Sequence, residues 1–176
     1  MIEIKTILLG EKCVGKTQII NNLRSKQNNL IYTPTIGVDY YKHDSKNVSF
    51  NIWDTSGAPD FAHIVRTFFR GVHLVILVYR NEDDFNTIMH YKREVEASVY
   101  TKIRFAIFSI GKMHSFGQNF GQEFGHCFFK FNALNRRECL KTFSYLAEML
   151  RNERRDVPTH VDLTRPPENC LDNRCF

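Results

Sequence analysis

Eight residues near the start of the chain, Gly10-Glu11-Lys12-Cys13-Val14-Gly15-Lys16-Thr17, have the types and spacing to grip a polyphosphate. They fit the pattern GxxxxGK[ST], which carries meaning only where a strand leads into it and a helix follows. The glycines let the backbone turn so that successive N–H groups, those of Lys12, Cys13, Val14 and Gly15, can face an anion. The start of the following helix adds the positive end of its dipole. Lys16 brings an ammonium to the outer phosphates, and the Thr17 hydroxyl is a ligand for Mg2+. The plainer alternative is a glycine-bearing turn beside an ordinary surface lysine.

The surrounding pattern supplies the setting that the motif needs. Ile2–Leu9 is a β-rich apolar run ending at Gly10, and Lys16–Leu23 carries Ile19, Ile20 and Leu23 at helical spacing. Val48–Asp54 alternates, with Val48, Phe50 and Ile52 on one side and Ser49, Asn51 and Trp53 on the other, which predicts a strand with one buried face. Leu74–Tyr79 and Phe105–Ile110 read as fully buried strands, and Cys127–Phe131 as a short one. Phe61–Phe69, Phe85–Val99 and Arg136–Leu150 read as helices. The last places Cys139, Leu140, Phe143, Leu146, Ala147 and Leu150 on one face. Strands alternating with helices predict an α/β fold, a parallel-dominated sheet wrapped on both sides, and a ligand at the C-terminal ends of the strands. The pattern stops after Leu150, and three of the five prolines follow it. Residues 1–152 are therefore expected to form one domain and 153–176 a flexible tail.

Three further stretches carry more specific information: Tyr32-Thr33-Pro34-Thr35-Ile36-Gly37-Val38-Asp39-Tyr40, Trp53-Asp54-Thr55-Ser56-Gly57 and Thr67-Phe68-Phe69-Arg70-Gly71-Val72-His73. In order and spacing they resemble the first switch, the WDTAG of the second switch and the YYRGAH stretch of Rab proteins, a branch of the Ras superfamily of small GTPases. The resemblance covers about residues 1–150. It implies a three-layer P-loop G domain with a mostly parallel six-stranded sheet, and GTP or GDP held with Mg2+. Thr35 would join Thr17 and Asp54 around the metal only when a γ-phosphate is present, and the Gly57 N–H would touch that phosphate. Its loss would release both loops. Effectors and regulators would meet a surface containing Ile36, Tyr40, Trp53 and Phe68. Ordinary core packing is the alternative for the three aromatics.

The chain also departs from the family at places that matter chemically. The glutamine that orients the attacking water is replaced by Ala58, followed by Pro59. A methyl group cannot hold a water, so hydrolysis is expected to be very slow and no catalytic residue is assigned. The family's NKxD aligns with Gly111-Lys112-Met113-His114. His114 cannot accept the paired hydrogen bonds that a carboxylate takes from guanine, while Lys112 keeps its stem for packing on the base. The family's SAK aligns with Asn132-Ala133-Leu134, where Ala133 can still offer its backbone N–H to guanine O6. Asn28 and Asn29 stand where a base-stacking aromatic would be. The stretch between His114 and Lys130 is shorter than the family's, so the fourth helix is expected to be short or irregular. Binding is expected to survive with selectivity against ATP much reduced. A non-catalytic binding module on the same fold is the rival expectation.

Composition narrows the rest. The chain has 24 basic and 19 acidic residues, scattered without a long run or aromatic interleaving, which favours a solvated basic surface over a nucleic-acid groove. Five cysteines without metal-ligand spacing read as free thiols in a reducing cytosol. No apolar stretch approaches the roughly 18 residues of a membrane span, and the first residues turn charged too early for a signal peptide. A monomer is expected in the cytoplasm, reaching the cytosolic face of internal membranes through lipid or a partner. Cys170 and Cys175 are the candidate lipidation sites, although they lack the family's paired spacing and a single lipid anchors only marginally.

Overall fold

Ile2–Leu9 is apolar enough to be covered on both sides, and it lies in the middle of the sheet. The computed structural model describes residues 1–24, 34–81, 83–110, 127–130 and 132–155. Its elements are β1 (Ile2–Leu9), α1 (Lys16–Leu23), β2 (Val38–Ser45), β3 (Val48–Thr55), a 3-10 turn (Pro59–Phe61), α2 (Ala62–Thr67), β4 (Leu74–Tyr79), α3 (Asp83–Ser98), β5 (Arg104–Ser109), β6 (Cys127–Lys130) and α4 (Arg136–Arg155). The strands form one six-stranded sheet in the order β2-β3-β1-β4-β5-β6. Every neighbouring pair is parallel except β2 and β3.

Alternation along the strands builds two cores. Ile4 and Leu8 of β1, Ile76 and Val78 of β4 and Phe108 of β5 pack on one face with Ile19, Ile20 and Leu23 of α1 and Phe143, Leu146 and Leu150 of α4. Ile7 and Leu9, Val75 and Leu77, and Phe105 and Ile107 pack on the other with Val65 of α2 and Ile88 and Val95 of α3. This is the expected α/β sandwich with helices on both faces. All the strands parallel to β1 therefore end at the same edge, where the loop from Gly10 to Gly15 also begins.

Four local expectations need adjustment. β2 escaped the sequence pattern because it is an edge strand, mostly half-exposed or exposed, and is rich in polar residues. It returns to β3 through Lys46 and Asn47, both at left-handed φ (47° and 64°), the geometry of a two-residue hairpin. β3 is not buried on one side only, since Ser49 is fully buried and Trp53 packs partly against the second core. The region read as one helix from Phe61 is a 3-10 turn followed by a shorter α2. α4 runs to Arg155, past the end of its apolar stripe and past the expected boundary at 152. Arg and Glu are good helix formers, so the last turn needs no core beneath it. Residues 156–176, and residues 115–126 where the irregular fourth helix was expected, lie outside the described residues. Among the described residues, no helix is long and apolar enough to cross a membrane.

Phe143 ties the first core together, fully buried with its ring 5.3 Å from Phe50 and 6.2 Å from Phe108. Phe143→Ala is expected to destabilise the chain by about 3–5 kcal/mol. Urea denaturation would show this as a lower midpoint, and a loss below about 1 kcal/mol would contradict this packing.

Candidate functional site

The loop after β1 is shaped by close approach. A Cβ on Gly10 would run into the Val78 carbonyl oxygen, so only glycine lets the chain leave β1 this close to β4. Cys13 adopts φ 64° and Gly15 φ 109°, both in the left-handed region. Gly15 caps α1 without any side-chain cap, and the first turn carries no acidic residue. The positive end of α1 is thus left uncompensated by its own sequence.

Lys16 folds back across this loop. It is 5% exposed, and its Nζ donates to the carbonyls of Gly10 (2.8 Å) and Glu11 (2.7 Å). Among the described residues, one of the ammonium's three donors is left over. Burial pushes its pKa down to about 8, against the opposing pull of Asp54 and Glu11. The Glu11 carboxylate is itself tied to α3, accepting from the Thr87 hydroxyl at 2.7 Å.

Beside the ammonium, three oxygen-bearing side chains from three segments meet. Thr17 Oγ1 donates to Asp54 Oδ2 at 2.6 Å and lies 2.9 Å from Thr35 Oγ1. Asp54 is 2% exposed, and its other oxygen, Oδ1, is buried without a hydrogen-bond partner. Burial pushes its pKa up to about 6, opposed by Thr17 and Lys16. A carboxylate oxygen left open beside two hydroxyls fits a hard cation. Mg2+ normally takes one or two carboxylates and completes its shell with phosphate and water. The presence of a single carboxylate therefore suits it, and no group of three or more His, Cys, Asp or Glu that could hold a metal occurs among the described residues.

The two switch-like segments touch each other and the loop. Ser56 N donates to Gly37 O at 2.8 Å. A Cβ on Gly57 would collide with the backbone of Glu11 and Lys12, so glycine is required for this contact. Ala58 is half-buried, and its N–H reaches Ser56 Oγ at 3.3 Å. Its side chain offers nothing polar.

The aromatics expected at the surface come together. Tyr40 pairs with Trp53 across the β2–β3 ladder, with ring centroids 5.2 Å apart, and Trp53 lies 6.4 Å from Phe68. Trp53 and Phe68 rest against the second core, while Tyr40 is exposed, as is Ile36. The patch is held from below. The Tyr40 hydroxyl donates to Asn51 Oδ1 at 2.6 Å, and the Lys5 ammonium sits 5.1 Å over the Trp53 ring while donating to Arg70 O.

On the far side of Gly15, Asn132 and Ala133 form a tight turn. Asn132 N donates to Glu138 Oε2 at 2.8 Å, and Ala133 is buried against the Gly15 position. Lys112, His114, Cys170 and Cys175 lie outside the described residues. Sequence reasoning missed Glu11, Thr87 and Asn22. Asn22 is 3% exposed and donates to the Ala133 carbonyl. A polar residue one turn from Ile19, on the buried side of a short helix, was the available signal.

The family model described as "Ras of Complex, Roc, domain of DAPkinase" matches residues 5–113. The GTP-binding protein ypt1 of Schizosaccharomyces pombe is 32% identical over 98 residues, which covers 52% of this chain and 48% of that protein. The Ras-related protein RABD2a of Arabidopsis thaliana is 33% identical over 100 residues, with the same coverage. The Ras-related protein Rab-19 of Mus musculus is 32% identical over 98 residues, covering 52% of this chain and 45% of that protein. The aligned chain spans about half the length of these curated relatives.

The geometry sets a pH response in the ligand-free protein. The Asp54 pKa rises from 3.8 to about 6 on folding. The folded state then holds a proton that the unfolded chain releases, and this group's contribution to stability falls as pH rises from about 4 through 6. The loss is on the order of 2–3 kcal/mol. Asp54→Asn should flatten that part of the stability curve in chelator, measured by urea midpoints between pH 4 and 7. Equal slopes for both proteins would contradict it.

Proposed function

Because the chain belongs to the Ras superfamily of small GTPase domains and is Rab-like within it, we propose that it is a GTP–Mg2+-binding switch whose hydrolysis is slow or absent. The observation that carries this reading is the meeting of Thr17, Thr35 and Asp54 beside the buried Lys16 ammonium, with Asp54 Oδ1 left open. Mg2+ held by these oxygens would offset charge on the outer phosphates. The Lys16 ammonium and the amides of Lys12 to Thr17 bind the phosphate chain. Thr35 and Gly57 bring the two switch segments onto its end. Losing the γ-phosphate removes their shared anchor and favours release of both segments.

Ala58 stands where a water would have to be oriented, and it has no polar side-chain atom to do so. This favours a long-lived triphosphate state. It is also the observation behind the second reading, a non-catalytic binding module. In both readings Tyr40, Trp53, Phe68 and Ile36 present the face that effectors and regulators recognise. The Rab-like character makes vesicle and membrane trafficking the proposed setting, with the protein a monomer peripheral to internal membranes through lipid on Cys170 or Cys175 or through a partner.

Two measurements test the proposal. By calorimetry in Mg2+, Lys16→Ala is expected to weaken GTP and GDP binding about 10- to 100-fold, as loss of a charge-assisted phosphate contact would. Equal affinities for the variant and the natural chain would refute the site. In single-turnover assays the natural chain should hydrolyse GTP more slowly than the roughly 4 × 10⁻⁴ s⁻¹ of an intact Ras-type site, and Ala58→Gln should raise the rate. An ordinary rate with Ala58 in place would overturn the assignment of slow hydrolysis.

A further inference from the structure

The phosphate loop carries a carboxylate of its own. Glu11 directly follows Gly10, and a negative charge there opposes a polyphosphate on the same loop. The Lys16 ammonium already feels that charge, for Glu11 stands beside Asp54 among the groups that pull its pKa upward. An ammonium with a donor to spare is a ready partner for a carboxylate. A Glu11 side chain free to turn inward would compete for the place that the proposed function gives to an outer phosphate.

The fold holds this carboxylate elsewhere. Thr87 Oγ1 on α3 donates to Glu11 Oε1 at 2.7 Å, and among the described residues that hydroxyl is the carboxylate's only hydrogen-bond partner. α3 gives the hydroxyl a fixed base. The next residue, Ile88, is fully buried in the second core. Glu94, two turns along the same face of α3, accepts from Arg66 of α2 at 2.5 and 3.0 Å. The backbone of Glu11 is engaged as well. Its carbonyl accepts from Lys16 Nζ, and Gly57 packs on it so closely that a Cβ would stand 2.3 Å from the carbonyl carbon. One residue thus joins the ammonium, the second switch-like segment and α3.

We propose that Thr87 is a positioning residue for phosphate binding: its hydroxyl tethers the Glu11 carboxylate to α3 and so leaves the remaining Lys16 donor to the polyphosphate. The inference rests on the proposed reading of this loop as a polyphosphate site. The tether uses only the hydroxyl of threonine. Serine can therefore replace it, and valine, which has nearly the same shape, cannot. Its effect passes through the Glu11 charge, so removing that charge makes Thr87 dispensable for binding.

The test is a double-mutant cycle on the full chain, titrating inorganic tripolyphosphate and GTP in Mg2+ by calorimetry. Thr87→Val is expected to weaken both ligands about tenfold, the equivalent of one hydrogen bond to a charged group. Thr87→Ser should bind like the natural chain, and Thr87→Val combined with Glu11→Gln should bind like Glu11→Gln alone. An unchanged affinity in Thr87→Val overturns the proposal. A loss that persists with Glu11→Gln, or that Thr87→Ser shares, assigns Thr87 a merely structural role and overturns it too. Should Thr87→Val not fold, Glu11→Gln by itself decides. It should bind tripolyphosphate at least as tightly as the natural chain, and weaker binding overturns the proposal. A natural chain that binds neither ligand overturns the polyphosphate reading, whereas tight binding that ignores both substitutions overturns only the tether.

Discussion

A lysine ammonium almost removed from water must be compensated, and at Lys16 the compensation comes from the phosphate loop's own backbone. The Gly10 and Glu11 carbonyls take two of its donors, and the buried Asp54 carboxylate lies among its electrostatic partners. Burial still depresses its pKa and raises that of Asp54, so the ligand-free site holds two charges that it solvates incompletely. In the proposed function a polyphosphate with a divalent cation would supply what each lacks: an anion for the remaining ammonium donor and a metal for Asp54 Oδ1. On that reading the site is preorganised before the ligand arrives.

The same arrangement joins the site to the surface. Thr35 reaches Thr17 by a side-chain contact, Ser56 reaches Gly37 through the backbone, and Gly57 lies directly on the loop. The strands that follow Thr35 and precede Gly57 are β2 and β3, whose ladder sets Tyr40 against Trp53. The segments at 34–37 and 56–58 are therefore joined to the base of the aromatic patch by a single hydrogen-bonded hairpin. Lys5, Asn51 and Arg70 brace that patch from β1, β3 and the turn after α2, which limits how far it can rearrange.

Much of this was legible in the chain because it rests on local pattern. The phosphate loop is a contiguous motif, β4 and β5 are continuous apolar runs, and the buried stripe of α4 from Cys139 to Leu150 follows helical spacing. Thr35 and Asp54 could be placed only through resemblance to a family, since nothing near them in sequence says that both meet Thr17. β2 was illegible because an edge strand with one partner can be largely polar. The extension of α4 to Arg155 was hidden because a charged last turn reads like a tail. Asn22 and the Glu11–Thr87 pair were missed for a different reason. Each depends on a partner far along the chain, and a polar residue acquires meaning there only after the helices are docked.

The most direct measurement is chemical identification of what the full chain releases when it is purified in Mg2+ and then denatured. Close to one guanine nucleotide per chain is expected. A folded chain that releases none, and takes up none from millimolar Mg2+–GTP, would contradict the claim that Lys16, Thr17, Thr35 and Asp54 enclose a metal-bound polyphosphate.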